Sequence, residues 1–159
     1  MKNKRVLFVC TFSGARSLIA EKFTNQLAHG KIDAYSSSFE SGKIGPLPIA
    51  IMKEIGIDLP TDAPKSVWDR YMEKEAFDWV VTLCHEISGL QQCPIFKENV
   101  DDLYAGNARI LSWSVPPFSF LSGSDEEKKA GARKIRDQIK CEVLTFLSQI
   151  GMGIDFDNG

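Results

Sequence analysis

A short apolar run that ends in a cysteine, Val6 to Cys10, constrains this chain more than any other segment. It is β-branched and aromatic without alternation, which is typical of a buried strand. A helical pattern opens about five residues later, at Arg16-Ser17. The sequence therefore predicts a thiol at the C-terminal end of a strand, and a loop whose backbone N–H groups turn inward. A tetrahedral oxyanion above a sulfur nucleophile suits that arrangement.

Each residue type in this segment has a chemical role in that interpretation. Cys10 is the predicted nucleophile, because a thiol just before a helix receives the positive end of the helix dipole, which favours the reactive thiolate. Arg16 supplies a permanent charge and a bidentate grip, and Ser17 can donate its hydroxyl to the sulfur. The predicted oxyanion-binding residues are Thr11, Phe12, Ser13, Gly14, Ala15 and Arg16. A structural cysteine that merely ends a buried strand remains the alternative on this segment alone.

Composition excludes several classes of function. A chain of 159 residues can bury one core, and a net charge of −2 with a pI near 5.7 provides no broad electrostatic surface for nucleic acid. No apolar stretch approaches the length of a membrane span. The basic start followed by apolar residues resembles a secretory signal, but Arg16 and Glu21 follow within a helical pattern, which argues against one. Four cysteines fit a reducing compartment, so we expect a cytoplasmic protein.

Strand and helix patterns alternate along the chain. Strands are predicted at 5–9, 32–36, 78–83 and 108–111, and helices at 17–27, 49–55 and 125–150, the last opened by a capping box at Ser124 and Glu127. This alternation predicts an α/β fold: a single three-layer domain with a central four-stranded parallel sheet flanked by helices. We assign residues 1–151 to that domain and residues 152–159 to a flexible C-terminal tail.

Two further cysteines bear on function. Cys84 follows the third predicted strand, so it should lie at the same edge of the sheet as Cys10, and Cys93 follows nine residues later. A pair of this kind can pass an oxidising equivalent from one thiol to the next by exchange if the intervening segment folds back. Two unrelated structural cysteines are the alternative, and a zinc site with His85 matches no common spacing. Cys141, in the last helix, is expected only to pack.

Together these segments resemble the low-molecular-weight tyrosine phosphatase superfamily and, within it, the thioredoxin-coupled arsenate reductases. The resemblance is carried by Val9-Cys10-Thr11 with Arg16-Ser17, Ala34-Tyr35-Ser36, the tract from Met52 to Asp58, Val80 to Cys84 with Cys93-Pro94, and Lys134 to Lys140. Because the phosphatase branch generally lacks the second and third cysteines, Cys84 and Cys93 favour the reductase branch.

The resemblance implies a mechanism for this chain. Cys10 would attack arsenate held by the loop and Arg16, Cys84 would then attack Cys10 and release arsenite, and Cys93 would move the disulfide to the 84–93 segment. Thioredoxin would reduce that disulfide as an external reductant, with no bound cofactor. The expected protein is a monomer that binds arsenate or a phosphate-like oxyanion and does not act on nucleic acid or membranes.

Three departures from the family pattern accompany this resemblance. Phe12 and Ser13 replace the usual Gly-Asn pair of the loop. Glu21 and Ser36 resemble a potassium site of related reductases, which Ser13 weakens, so no metal is expected beyond that monovalent-cation alternative. The family's general-acid Asp-Pro is missing, because the matching stretch reads Trp113-Ser114-Val115-Pro116-Pro117-Phe118. Asp101, Asp102 and Asp125 are candidate substitutes that nothing in the sequence directs to the site.

The sequence is also compatible with two other functions. A phosphatase acting on phosphotyrosine or small phosphoesters would need Cys10 and Arg16 but neither later cysteine. A non-enzymatic oxyanion-binding protein would fit the altered loop and the missing acid.

Overall fold

A four-stranded parallel sheet forms the centre of the protein. The computed structural model describes residues 3–11, 15–39, 42–84, 86–87, 90–91, 100, 102–104 and 106–151. The strands are β1 (Lys4–Cys10), β2 (Ile32–Ser38), β3 (Trp79–Cys84), the short β4 (Glu86–Ile87) and β5 (Leu90–Gln91), and β6 (Arg109–Ser114). The central sheet has the order β2-β1-β3-β6 with every neighbouring pair parallel, while β4 and β5 pair antiparallel outside it. The predicted fold class is confirmed.

Helices cover both faces of this sheet. They are α1 (Ala15–Leu27), α2 (Pro46–Lys53), α3 (Val67–Met72) and α4 (Asp125–Gln149), with a helical turn at 102–104 and a 3-10 turn at Phe118–Phe120. Phe8 and Cys10 of β1 belong to the core under α1, α2 and α4, whereas Leu7 and Val9 belong to a second core under α3. Since side chains alternate along a strand, both faces of β1 are buried, and its run is continuously apolar.

Several boundaries differ from the predicted ones. Helix α1 begins at Ala15, two residues before Ser17, so Arg16 lies in its first turn. Helix α2 spans Pro46–Lys53 rather than 49–55, because proline is tolerated where the first helical N–H has no partner. Strand β2 continues to Ser38. Helix α3 and the β4–β5 pair were not predicted.

The last helix confirms the predicted capping box. The Glu127 N–H donates to the Ser124 hydroxyl at 3.2 Å, and the Ser124 N–H donates to the Glu127 carboxylate at 3.4 Å. The predicted apolar stripe is buried from Ile135 to Leu147, with Ile150 packed at its end. The expectation that Cys141 packs in the core was wrong, since it is an exposed free thiol. At 100° per residue it lies opposite Ile139 and Val143, which make the contacts.

Among the helices of the described ranges, none combines the length and apolar character that a bilayer crossing requires. The predicted tail at 152–159 lies outside the described residues, and the division at residue 151 stays a prediction.

Candidate functional site

Cys10 lies where three strands of the sheet end together. It pairs with Ser38 of β2 on one side and with Leu83 of β3 on the other, and its side chain is fully buried. Helix α1 starts five residues later and covers the same face as the Cys10 side chain. The thiol therefore sits at the carboxyl edge of a parallel sheet, close to a helix N-terminus, where α/β folds bind ligands.

Ser17 connects the sulfur to strand β2. The Cys10 Sγ lies 3.3 Å from the Ser17 Oγ, and the Ser17 hydroxyl donates to the Ser37 carbonyl at 3.0 Å. A hydroxyl has one proton, so in this arrangement the thiol donates to Ser17 and Ser17 donates to Ser37. When Cys10 ionises, the Ser17 proton can turn from the Ser37 carbonyl to the sulfur. The structure thus brings Cys10 and Ser17 together, and Ser37 is a third member that the sequence did not indicate.

Arg16 is a buried cation beside this thiol. Its side chain is 5% exposed, and its Nη1 donates to the Val115 carbonyl at 2.7 Å, which orients the guanidinium plane. Burial lowers the pKa of Arg16, and the nearby Cys10 partly offsets that effect by attraction. A guanidinium nevertheless stays charged in a protein, so this buried charge favours an incoming anion.

An open cleft of about 320 Å³ begins at this arginine. Ala15 and Arg16 form one wall, residues 45–48 at the start of α2 a second, and residues 117–119 a third, with Lys43 at the rim. The charged side chains among these lining residues are Arg16 and Lys43, both cations, although Lys43 is exposed and pairs with Asp62. A dianion such as arsenate or phosphate matches that charge.

The cleft offers no carboxylate as a general acid among its described lining residues. The Val115 carbonyl accepts from Arg16, and Pro117 and Phe118 line the cleft where the family would have its acid. Asp102 and Asp125 are exposed and are not among these lining residues, and Asp101 lies outside the described residues. The missing acid inferred from the sequence is therefore not replaced within the described part of the cleft.

Cys84 ends β3 at the predicted edge but on the opposite face of the sheet from Cys10. Its side chain packs in the core under α3, and it is disulfide-bonded, whereas Cys10 is not part of a disulfide. Because Cys10 pairs with Leu83, the Cα atoms of Cys10 and Cys84 are roughly 6 Å apart from strand spacing and rise. That separation suits a disulfide, but the two side-chain directions do not. Cys93 and His85 lie outside the described residues, as do Phe12, Ser13 and Gly14 of the loop.

The pair suggested as a cation site is formed, with a cation already beside it. The Ser36 hydroxyl donates to Glu21 at 3.3 Å, and burial raises the pKa of Glu21 against the opposing effects of Lys22, Ser36 and Arg70. Arg70 also donates to the Ser36 carbonyl at 3.1 Å. These groups fit a bound metal ion poorly, because the Arg70 guanidinium already supplies a positive charge beside them. The described residues contain no cluster of three His, Cys, Asp or Glu side chains suited to a metal.

Sequence reasoning missed Ser37, Lys43 and Arg70. The run Ser36-Ser37-Ser38, buried at the end of a strand, is a signal that could have indicated Ser37, because buried hydroxyls need partners. Nothing local marks Lys43 or Arg70, since their places depend on tertiary contacts. Thr11, the first predicted loop residue, is half-buried.

Comparison with known proteins agrees with this geometry. The family model for low molecular weight phosphotyrosine protein phosphatase matches residues 5–152. An arsenate reductase of Halalkalibacterium halodurans is 30% identical over 146 residues, which are 92% of this chain and 96% of that protein. A solved arsenate reductase in the phosphate binding state has a TM-score of 0.65 at 26% identity, covering 93% of this chain and 99% of the other.

A third relative indicates a shared fold. The thioredoxin-dependent arsenate reductase of Corynebacterium glutamicum has a TM-score of 0.59 at 21% identity, over 93% of this chain and 62% of that one. The chain therefore belongs to the low molecular weight phosphotyrosine protein phosphatase family, in the branch that contains the arsenate reductases.

Proposed function

We propose that this protein is an arsenate reductase in which Cys10 is the nucleophile and thioredoxin is the external reductant. The observation that carries it is the reduced Cys10 thiol beside a buried arginine, with a disulfide-bonded Cys84 at the end of the neighbouring strand. A phosphatase needs the first pair alone, whereas a reductase also needs somewhere to store two oxidising equivalents. Relatives named as arsenate reductases, one of them thioredoxin-dependent, support the same choice.

The first step uses Cys10 and Arg16. The Cys10 thiolate attacks arsenic(V), and one arsenate oxygen leaves as water after protonation from solvent. Arg16 neutralises charge on the remaining oxygens, while Ser17 turns its hydroxyl toward the sulfur before the attack. The missing carboxylate matters less here than for an alkoxide or phenoxide leaving group, because solvent can protonate the expelled oxygen.

Two exchanges then move the electrons. The Cys84 thiolate attacks the Cys10 sulfur, the sulfur–arsenic electron pair passes to arsenic, and arsenite leaves with a Cys10–Cys84 disulfide behind it. Cys93 attacks Cys84 next, which releases the Cys10 thiolate and leaves an 84–93 disulfide for thioredoxin to reduce. Since Cys84 packs on the far face of the sheet, its side chain must rotate around the end of β3 for the first exchange.

Turnover in a coupled assay tests this function. Protein, arsenate, thioredoxin, thioredoxin reductase and NADPH should together oxidise NADPH, and Cys10→Ser and Cys84→Ser should each stop the steady reaction. Cys141→Ser is the matched control, because that thiol is exposed on α4 and should be dispensable. In protein that has first been reduced and then freed of reductant, thiol pairing measured by mass spectrometry after one exposure to arsenate should show oxidation of Cys84 before any thioredoxin is added. Background turnover, or full activity in Cys84→Ser, would exclude the reductase.

The runner-up is a phosphatase, favoured by the Cys10–Arg16 pair and by the family. General acid catalysis contributes about 10²–10⁴ in rate, so a cleft without an acid should hydrolyse unactivated phosphoesters poorly. Hydrolysis of an aryl phosphate at rates typical of enzymes, lost in Cys10→Ser and kept in Cys84→Ser, would favour it over the reductase. Phosphate binding without turnover of either substrate would instead indicate an oxyanion-binding protein.

The oligomeric state, the cellular compartment and the absence of a cofactor are also part of what we propose. It works as a monomer in the cytoplasm, where thioredoxin is kept reduced, and it carries no bound cofactor. Gel filtration with light scattering, and activity after exhaustive dialysis against a chelator, test the oligomeric state and the absence of a cofactor.

A further inference from the structure

Arg70 of α3 reaches the end of strand β2 directly behind the nucleophile. Its Nε donates to the Ser37 hydroxyl at 2.7 Å, and its Nη2 donates to the Ser36 carbonyl at 3.1 Å. Both serines are buried. One guanidinium therefore grips the backbone of one residue and the side chain of the next, at the carboxyl edge of the sheet.

The remaining contacts hold this guanidinium rigidly. Its Nη1 donates to both carboxylate oxygens of Glu75, at 3.0 and 3.3 Å, and its centre lies 5.4 Å from the ring centroid of Tyr35. The side chain is 11% exposed. Because all three nitrogens have partners, the two serine contacts are fixed in direction, as the planar fork of arginine allows and a lysine ammonium does not.

Ser37 links this arginine to Cys10. Its hydroxyl accepts from Arg70, its carbonyl accepts from Ser17, and Ser17 contacts the Cys10 sulfur. Three charged groups lie around Cys10 and the hydroxyls of these serines: Arg16 and Glu21 from α1, and Arg70 from α3. Glu75 lies behind Arg70.

We propose that Arg70 is a positioning residue for Cys10, a built-in cation at the place where the Glu21–Ser36 pair suggested a monovalent metal ion. It fixes Ser37 so that Ser17 stays within reach of the sulfur, and its charge favours the thiolate. A second cation at this place would be repelled by Arg70, so the protein needs no potassium. This role rests on the proposed nucleophile Cys10 but not on arsenate as the substrate.

The rate at which iodoacetamide alkylates Cys10 at pH 7 is the first readout, and it requires no substrate. Only the thiolate reacts, so we expect Arg70→Ala to slow this alkylation by about three- to tenfold. Arg70→Lys should recover part of the rate, and low millimolar guanidinium ions should recover part of it in Arg70→Ala, which a merely structural loss would not allow. Peptide mapping by mass spectrometry separates Cys10 from the exposed Cys141. The control is Arg133→Ala, which removes an exposed arginine paired with Glu54 and should react as the wild type does.

Kinetics supply the second readout. Wild-type turnover should be the same within about twofold in potassium, sodium or tetramethylammonium chloride at equal ionic strength, and should fall about tenfold or more in Arg70→Ala through kcat rather than KM. Ser37→Ala should lower kcat less, and its effect should not add to that of Arg70→Ala.

Three results would overturn this role: a potassium requirement in the wild type, an unchanged rate of Cys10 alkylation in Arg70→Ala and Arg70→Lys, or additive effects of the Arg70 and Ser37 changes. If arsenate is not turned over, the alkylation rate still tests the role of Arg70, so failure of the proposed function is distinguishable. If Arg70→Ala does not fold, Arg70→Lys and Ser37→Ala give the answer.

Discussion

Replacing Arg16 with methionine should remove most of the stabilisation of this fold by phosphate, whereas its effect on the free protein is the small difference between two opposing contributions. Arg16 is a buried cation whose one described hydrogen bond goes to the neutral Val115 carbonyl. Burial already lowers its pKa, which means that its charge is poorly solvated until an anion arrives. Phosphate is the appropriate probe because it has the shape and charge of arsenate without its redox chemistry.

Two opposing terms act on the free protein. Replacing a buried ion pair with apolar side chains of similar volume is often neutral or stabilises a fold by about 1–4 kcal/mol, and removing the lone buried charge of Arg16 acts in the same direction. Losing the donor to Val115 leaves a carbonyl unpaired, at a cost of about 1–3 kcal/mol. The net change in the free energy of unfolding should therefore stay within about 3 kcal/mol of zero, with either sign.

The stabilisation of the fold by bound phosphate has no such opposing contribution. At a phosphate concentration of one hundred times Kd, the wild type gains about 2.7 kcal/mol, which is a rise in Tm of roughly 5–11 °C for a chain of this size. Each lost charge-assisted hydrogen bond weakens binding by about 1.5–3 kcal/mol. If Kd rises a hundredfold, the same phosphate concentration stabilises the variant by only about 0.4 kcal/mol, and Tm rises by roughly 1 °C.

Thermal melts across a phosphate series, with chloride at matched ionic strength, measure both quantities in one experiment. Arg133→Met is the control, because that side chain is 40% exposed and pairs with Glu54 far from the cleft. If Arg16→Met keeps the wild-type phosphate shift, the anion binds elsewhere and Arg16 does not hold it.

Three further predictions concern single residues. Burial raises the pKa of Glu21 in the folded protein above its ordinary 4.5, so the free energy of unfolding should fall as the pH rises from about 4.5 through the folded pKa. Urea unfolding at a series of pH values measures this fall, and Glu21→Gln should remove the contribution of Glu21 to it. Ile139→Ala should cost about 2–5 kcal/mol with an unchanged urea m-value, because the side chain is fully buried between α4 and the sheet. Cys141 should react with iodoacetamide in the native protein as fast as an unfolded thiol does, and Cys141→Ser should shift stability by less than about 0.5 kcal/mol.

The sequence predicted the elements that have a strong pattern of their own. Strands β1 and β3 are apolar on both faces, and α4 carries its own cap and stripe, so each could be identified without its neighbours. Helix α3 has six residues and one buried position, Val67, so it shows no helical spacing of apolar residues that a sequence pattern could reveal. Strands β4 and β5 have two residues each and depend on each other.

The site was predictable as far as chain connectivity determines it. An apolar strand, a loop and a helix start fix Cys10, Arg16 and Ser17 relative to one another. Arg70 and Ser37 are 33 residues apart in sequence and meet only because α3 packs over the end of β2. Tertiary contacts of this kind produce no periodic pattern in the sequence. The serine run was the one sequence signal that could have indicated Ser37.

The placement of Cys84 shows most clearly what pattern alone leaves undetermined. Because Cys84 ends β3, it lies at the same edge of the sheet as Cys10. The face of the sheet on which its side chain lies depends on the register between β1 and β3, and a shift of one residue would move that side chain to the face that carries Cys10. In the observed register the Cys84 carbonyl accepts from the Val115 N–H at 3.0 Å, and the Val115 carbonyl accepts from Arg16. A movement of the Cys84 backbone toward Cys10 would therefore pull on the residue whose carbonyl orients the arginine. We expect the sulfur exchange and the hold of Arg16 on the oxyanion to influence each other through the two successive peptide groups of Val115.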